Sequence, residues 1–224
     1  MNYFTHGRHF IDDPWFLAGT AVPDLLNVSD RGVRVRAVHA QLLVSAADPR
    51  TAALARGIAQ HHFDDGWFHQ TAAFAELSWG FAARLRDVLE PDPGMRPSFL
   101  GHILVELLLD AVLIEAEPDR LRQYYAALAE VDAAHIQAVV NGVAASLPKP
   151  REASRIVEFV PLFIREGFLW DYADDGKLCY RLNQVMRRVR LPALGDDFKA
   201  FLPEARRAVQ DRQRDLLTPD VPSK

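Results

Sequence analysis

Apolar residues recur every three or four positions along most of this chain, and no stretch alternates strictly between apolar and polar. That periodicity predicts helices and no strands, and no internal repeat is visible. The clearest stripe lies in 71–89, where Phe74, Leu77, Phe81, Leu85 and Val88 share one helical face. Residues 98–115 read as a helix that is apolar almost all round, with Ser98 as its cap. Such a helix belongs at the centre of a fold. Asp12-Asp13-Pro14, Asp48-Pro49 and Pro118 are start signals, because proline is pre-shaped for the first helical turn. Residues 1–27 predict a short helix, a turn and a second short helix. The helix opened at Pro49 runs toward a histidine-rich stretch, where Gly66 either interrupts it or is passed. A helix from Pro118 ends near Leu128, and others are predicted over 33–47, 131–147, 152–169, 172–190 and 196–217. Pro161 should kink or split the one that contains it. The segments 90–94 and Pro148-Lys149-Pro150 read as linkers, and 218–224 as a polar tail that frays. The expectation is an all-α chain of roughly eight to ten helices, arranged as a single compact multi-helix domain over 1–217.

Composition narrows the function classes. At 224 residues, 49% apolar and 25% charged, the chain is ordinary for a globular protein and does not require a second domain. A net charge of −4 offers no large basic surface for nucleic acid. Cys179 is the only cysteine, so a disulfide within the chain and thiolate metal clusters are both excluded. Charges interrupt every apolar run before it reaches the length of a membrane span. Residues 1–10 carry no apolar secretion core, so a cytoplasmic protein is expected.

Candidate chemistry concentrates in 57–69. His61, His62, Asp64, Asp65 and His69 put three histidines and two aspartates into nine positions. His61 and Asp65 are four apart, as are Asp65 and His69, and each four-residue step turns about 40° around a helix. An imidazole and a carboxylate on adjacent turns can share one cation. His102 and Glu106 repeat that spacing, and Asp110 extends it along an apolar helix where a lone carboxylate must be paired, protonated or metal-bound. The two stripes are expected to face each other. His6 and Asp24, in Gly19-Thr20-Ala21-Val22-Pro23-Asp24, complete a candidate metal-ligand set of His6, Asp24, His61, Asp65, His102 and Glu106. That mixture of imidazole and carboxylate suits one or two divalent ions such as Zn²⁺, Mn²⁺ or Fe²⁺. His62 and Asp64 point away from the stripe on a regular helix, as outer-layer or surface residues. His9, His39 and His135 read as surface or structural. Arg8, Arg31, Arg34 and Arg36 either bind a phosphate or form a solvated basic face. Asn183, with Arg187 and Arg188 a turn further on, either lines a cleft or is plain surface.

These motifs resemble the acyl-carrier-protein phosphodiesterase family, helical metal-dependent hydrolases related to the HD-domain phosphohydrolases. The likeness rests on Met1-Asn2-Tyr3 with His6, on Gly19 with Asp24, and on Gly57-Ile58-x-x-His61-x-x-x-Asp65. It continues through the acidic pair positions at His102 and Glu106, and ends at Leu182, Asn183 and Arg188. It covers most of the length in order and is dilute between motifs. The chain departs from the family in carrying His102 and His69 where the family has Asp, and the extra imidazoles favour a zinc-like ion. Two helices bearing His-x-x-x-Asp and His-x-x-x-Glu also resemble the zinc-dependent phospholipase C group.

The resemblance implies an HD-like helical bundle and hydrolysis of a phosphoester, most simply a phosphodiester, by a metal-activated water. The substrate would be a small-molecule or carrier-protein-linked phosphoester. Asp65, His69 and Asp110 are the candidate catalytic residues, with His69 or Asp110 relaying a proton or orienting a ligand. Arg8, Asn183 and Arg188 are the candidate substrate contacts. The rival expectation is a non-catalytic helical protein with a structural metal or a ligand-binding role.

Overall fold

Short polar side chains decide where many of these helices begin, because the first amides of a helix have no partner within it. Asn2 accepts from Tyr3 N and opens α1 (Tyr3–Gly7). Asp13 accepts from Phe16 N at 3.1 Å and opens α2 (Pro14–Ser29). After the short α3 (Ala37–Ala40) and the long α4 (Pro49–Phe68), Thr71 caps α5 (Ala72–Val88) through Phe74 N. The central helix α6 (Pro97–Ala116) is followed by α7 (Pro118–Ala129) and by α8 (Ala133–Ala145), which Asp132 caps. Then come α9 (Ile156–Glu166), a 3-10 helix (Phe168–Ala173) and α10 (Asp175–Val189), capped by Asp174. The last two are α11 (Asp196–Asp211) and α12 (Gln213–Leu216). Proline stands first in α2, α4, α6 and α7, as Pro14, Pro49, Pro97 and Pro118.

This computed structural model describes residues 1–89 and 94–220, and among them the fold is all-α. The linker expected at 90–94 and the end of the tail therefore lie mostly outside the described residues. No helix among the described residues is long and apolar enough to cross a membrane.

Several boundaries differ from the periodicity reading. Residues 14–29 form one helix, with Pro23 inside it. Gly66 does not break α4, whose last residue is Phe68, so His69 sits just beyond the helix end. The span 33–47 holds only four residues of α-helix. Val33, Val35 and Ala40 are buried, but Val38 is 65% and Leu42 77% exposed, so the apolar residues do not share one helical face on the core and a longer helix lacks its driving force. Pro161 neither ends nor splits α9, where the neighbouring Val160 and Phe163 are buried. The helix expected over 172–190 starts later, because the chain passes through the 3-10 segment before Asp174 caps α10. The helix expected over 196–217 breaks at Arg212 into α11 and α12.

The chain groups into two compact units. One holds Met1, residues 66–116 and the chain from Leu169 onward. Its centre is α6, with residues from Leu104 to Ile114 buried on nearly every side. Helices α5 and α11 pack on α6, and Phe81 meets Phe201 edge-on at 5.8 Å. A Cβ on Gly101 would run into the carbonyl oxygen of Ser78 and lie 3.0 Å from Ala82 N. That close approach sets α6 against α5 and fixes the height of His102.

The other unit holds residues 2–65 and 117–168. Here α2 packs against α1, α7 and α9, and α8 packs against α9. Phe4, Tyr124 and Phe163 are fully buried, with the Tyr3 ring tilted against Phe163 at 5.0 Å between centroids. Gly19 of α2 and Gly57 of α4 cross backbone to backbone. A Cβ built on either would come within 2.8 Å of the other's Cα, and one on Gly57 would strike the Phe16 carbonyl. Asp30 then ties down the start of α9 by accepting from Ser154 N at 2.9 Å and Arg155 N at 3.2 Å. Asp30→Ala should lower stability by about 1–2 kcal/mol, measured by urea denaturation, since it frees two amides.

Candidate metal centres

The Gly19–Gly57 crossing decides the first centre. Because the two helices touch there, His61, one turn beyond Gly57, reaches α2 and lies 2.9 Å from the carbonyl oxygen of Thr20 through Nδ1. A carbonyl can only accept, so Nδ1 carries the proton and Nε2 presents its lone pair. Nε2 lies 3.3 Å from Asp65 Oδ2. His6, from α1, stacks on His61 with ring centroids 4.0 Å apart. Its Nδ1 is 3.4 Å from Asp64 Oδ2 and its Nε2 is 3.2 Å from Asp65 Oδ1. Asp64 is in turn held by Gln60, whose amide donates to Oδ1 at 2.8 Å.

His6, His61 and Asp65 thus converge, each offering one ligand atom within 4.8 Å of the others. The two imidazoles are buried, and Asp65 is the ligand that faces solvent, its side chain 29% exposed. The donor set fits a divalent ion of the zinc type: two imidazole nitrogens and one carboxylate, with coordination positions left for water. Both rings are anchored through the nitrogen remote from the centre, one to a carbonyl and one to a carboxylate. That anchoring fixes the tautomer a metal ligand requires.

The electrostatics follow from the packing. Burial works to raise the Asp65 carboxyl, but its contacts with the His6 and His61 imidazoles outweigh it and hold the group well below the usual carboxylate range. Burial works to lower the His6 imidazole, but hydrogen bonds to Asp64 and Asp65, with the charge of Asp24, leave it raised. A depressed acid stabilises the fold above its unfolded value and loses that contribution as pH falls through the folded value. A raised base stabilises below its unfolded value and loses the contribution as pH rises through the folded one. In metal-free protein the contribution of this pair is therefore full only between the ordinary values of 3.8 for Asp65 and 6.5 for His6. Urea denaturation across that range should show a stability maximum that Asp65→Asn flattens.

A second triad stands in the α6 unit. His69 Nε2 lies 2.8 Å and His102 Nε2 3.4 Å from Glu106 Oε1, and the Met1 ammonium lies 3.3 Å from the same oxygen. His69, His102 and Glu106 also fall within 4.8 Å of one another. Burial works to raise the Glu106 carboxyl, but the positive charge around it, the imidazoles of His102 and His69 included, holds it well below its ordinary range. Among the described residues the candidate ligands therefore group as two triads of two imidazoles and one carboxylate.

The remaining candidates are distributed as follows. Asp24 is half-buried on α2, and its charge acts on His6, though it is in neither triad. Asp110 is fully buried on α6, one turn past Glu106, and is in neither triad. Arg8 donates to Glu117 Oε1 at 2.6 Å, joining the end of α1 to the start of α7. Arg188 is half-buried in the last turn of α10. Asn183 closes a loop: its amide nitrogen donates to Leu194 O at 3.0 Å and its oxygen accepts from Leu194 N at 2.7 Å. With both ends of the amide engaged, Asn183→Ala should cost about 1–2 kcal/mol in a thermal or urea melt and leave KM for any substrate unchanged.

Two residues carry more than their spacing suggested. His69 is a triad member as well as a proton-relay candidate. Asp64 is the partner of the His6 ring, and the visible signal was Gln60 and Asp64, a four-residue pair shadowing His61 and Asp65 one position earlier. The carbonyl of Thr20 carries no signal, because every residue has one. Set beside family models, curated proteins and solved structures, the chain matches none of them.

Proposed function

We propose that the protein is a metal-dependent hydrolase of a phosphoester, most simply a phosphodiester, as in the helical hydrolases its motifs resemble. One observation carries this reading: the Nε2 atoms of His6 and His61 face Asp65, while both Nδ1 atoms are tied to Asp64 and to the Thr20 carbonyl. That arrangement supports a ligand set able to hold an ion with open positions. An ion bound there supplies Lewis acidity that makes water nucleophilic near neutral pH. His6 and His61 hold their rings rigid against the protein interior. Asp65 sits on the solvent side, where a substrate would approach. Asp24, whose charge reaches His6, adds negative charge that favours a cation at the centre.

A second reading, an ion that only stabilises the fold, draws on the burial of His6 at 1% and His61 at 3%. One experiment separates the two. Protein purified without chelator is analysed for Zn, Mn and Fe, and assayed on bis(p-nitrophenyl) phosphate with each ion added. The phosphoester reading requires bound metal and turnover that His6→Ala and Asp65→Ala both remove. Bound metal with no turnover on any diester leaves the structural reading, and no metal under any loading ends both.

A further inference from the structure

We propose that His69, His102 and Glu106 form a second divalent-cation site, opening into a pocket that binds an anion with an apolar body. This goes beyond the phosphoester reading and does not depend on it. A pocket of about 360 Å³ is lined by both imidazoles of the triad. Its long wall is α5, which supplies Phe74, Ser78, Trp79 and Arg86. The His69 and His102 rings lie 4.8 Å and 4.9 Å from the Phe74 ring, so the triad occupies the Phe74 end.

Three features of this wall point to a ligand. Trp79 is 80% exposed, a large apolar surface left in water beside a cavity. Ser78 is only 8% exposed, lines the pocket, and its hydroxyl has no hydrogen-bond partner among the described residues. A buried hydroxyl without a partner costs free energy that a bound acceptor or donor recovers. Arg86 adds positive charge at the far end, three turns from Phe74 along α5. The triad leaves coordination positions for an anionic oxygen, and the ion replaces the Met1 ammonium as the cation on Glu106 Oε1. The ligand therefore presents an oxyanion to the ion and lays an aromatic or aliphatic body over Phe74 and Trp79. An inorganic anion would leave that wall wet.

The test uses zinc-loaded full-length protein and the His61→Ala variant, which lacks a ligand of the first centre. In both, His102→Ala should lower the bound zinc by one equivalent, read by elemental analysis, with helix content unchanged by circular dichroism. Should His102→Ala not fold, Glu106→Gln is read in the same way. Calorimetric titration should find phenylphosphonate bound about tenfold more tightly than methylphosphonate, the worth of burying a ring on an apolar wall. Trp79→Ala should keep the zinc and lose that preference. Zinc content unchanged in His102→Ala and Glu106→Gln would overturn the cation site. Equal affinities for the two phosphonates would overturn the apolar-body ligand. Neither result touches the first centre, whose own failure shows as unchanged zinc in His61→Ala.

Discussion

On the proposed metal-dependent reading, His61→Ala should keep the helical fold and lose both the ion of the first centre and turnover, with the rate on a diester falling at least about a thousandfold. Two imidazoles and one carboxylate are close to the minimum for holding a zinc-type ion, so removing one leaves a bidentate remnant that cannot retain it. The variant also removes the hydrogen bond that the Thr20 carbonyl accepts from Nδ1 at 2.9 Å, a loss of about 1 kcal/mol. The adjacent His62 is the control. Its Nε2 donates to the Val35 carbonyl at 2.8 Å, so its ring is directed at the backbone of 33–35 and not at the centre. His62→Ala should lower stability modestly and leave metal content and turnover intact. Equal losses in the two variants would show that the stretch acts through folding alone.

Gly57→Ala should lower stability by about 3 kcal/mol or more and empty the first centre, although Gly57 touches no ligand atom. The added Cβ would meet the Phe16 carbonyl, the Gly19 Cα at 2.8 Å and the Thr20 nitrogen at 2.9 Å. All three are backbone, so no side chain can swing aside, and α2 must move away from α4. Alanine would ordinarily favour a helix interior by about 1 kcal/mol over glycine, which makes the sign of the effect diagnostic. Moving α2 takes the Thr20 carbonyl away from His61 and frees the imidazole to rotate. Gly66 is the comparison, since a Cβ there meets nothing within 4 Å. Gly66→Ala should leave stability unchanged or raise it, and calorimetric melts of both variants, with metal analysis, check the pair.

Local chemistry of the chain is enough for the helical class. Periodicity located α5, α6 and α7 to within one residue, because an apolar stripe and a proline start are written within a few positions, although Ser98, expected as the cap of α6, lies inside the helix after Pro97. It overreached at 33–47, where apolar spacing is present but no neighbouring surface covers Val38 or Leu42. The four-residue spacings of His61 with Asp65 and of His102 with Glu106 were also legible, and each pair lies in contact, at 3.3 Å and 3.4 Å.

Tertiary structure decided what those pairs meet. Spacing along one helix fixes which side chains share a face, but it carries no information about the residues brought to that face from elsewhere. Hence His6 joins His61 and Asp65, while His69, just past the end of α4, joins His102 and Glu106. The tautomer of His61 depends on a backbone carbonyl forty-one residues earlier in the chain, reached only because two glycines let α2 and α4 touch. The helices and the ligand types follow from interactions among near neighbours in the chain. The grouping of the ligands and the aim of their nitrogens depend on where helices cross, and a crossing is set by packing between residues far apart in the chain.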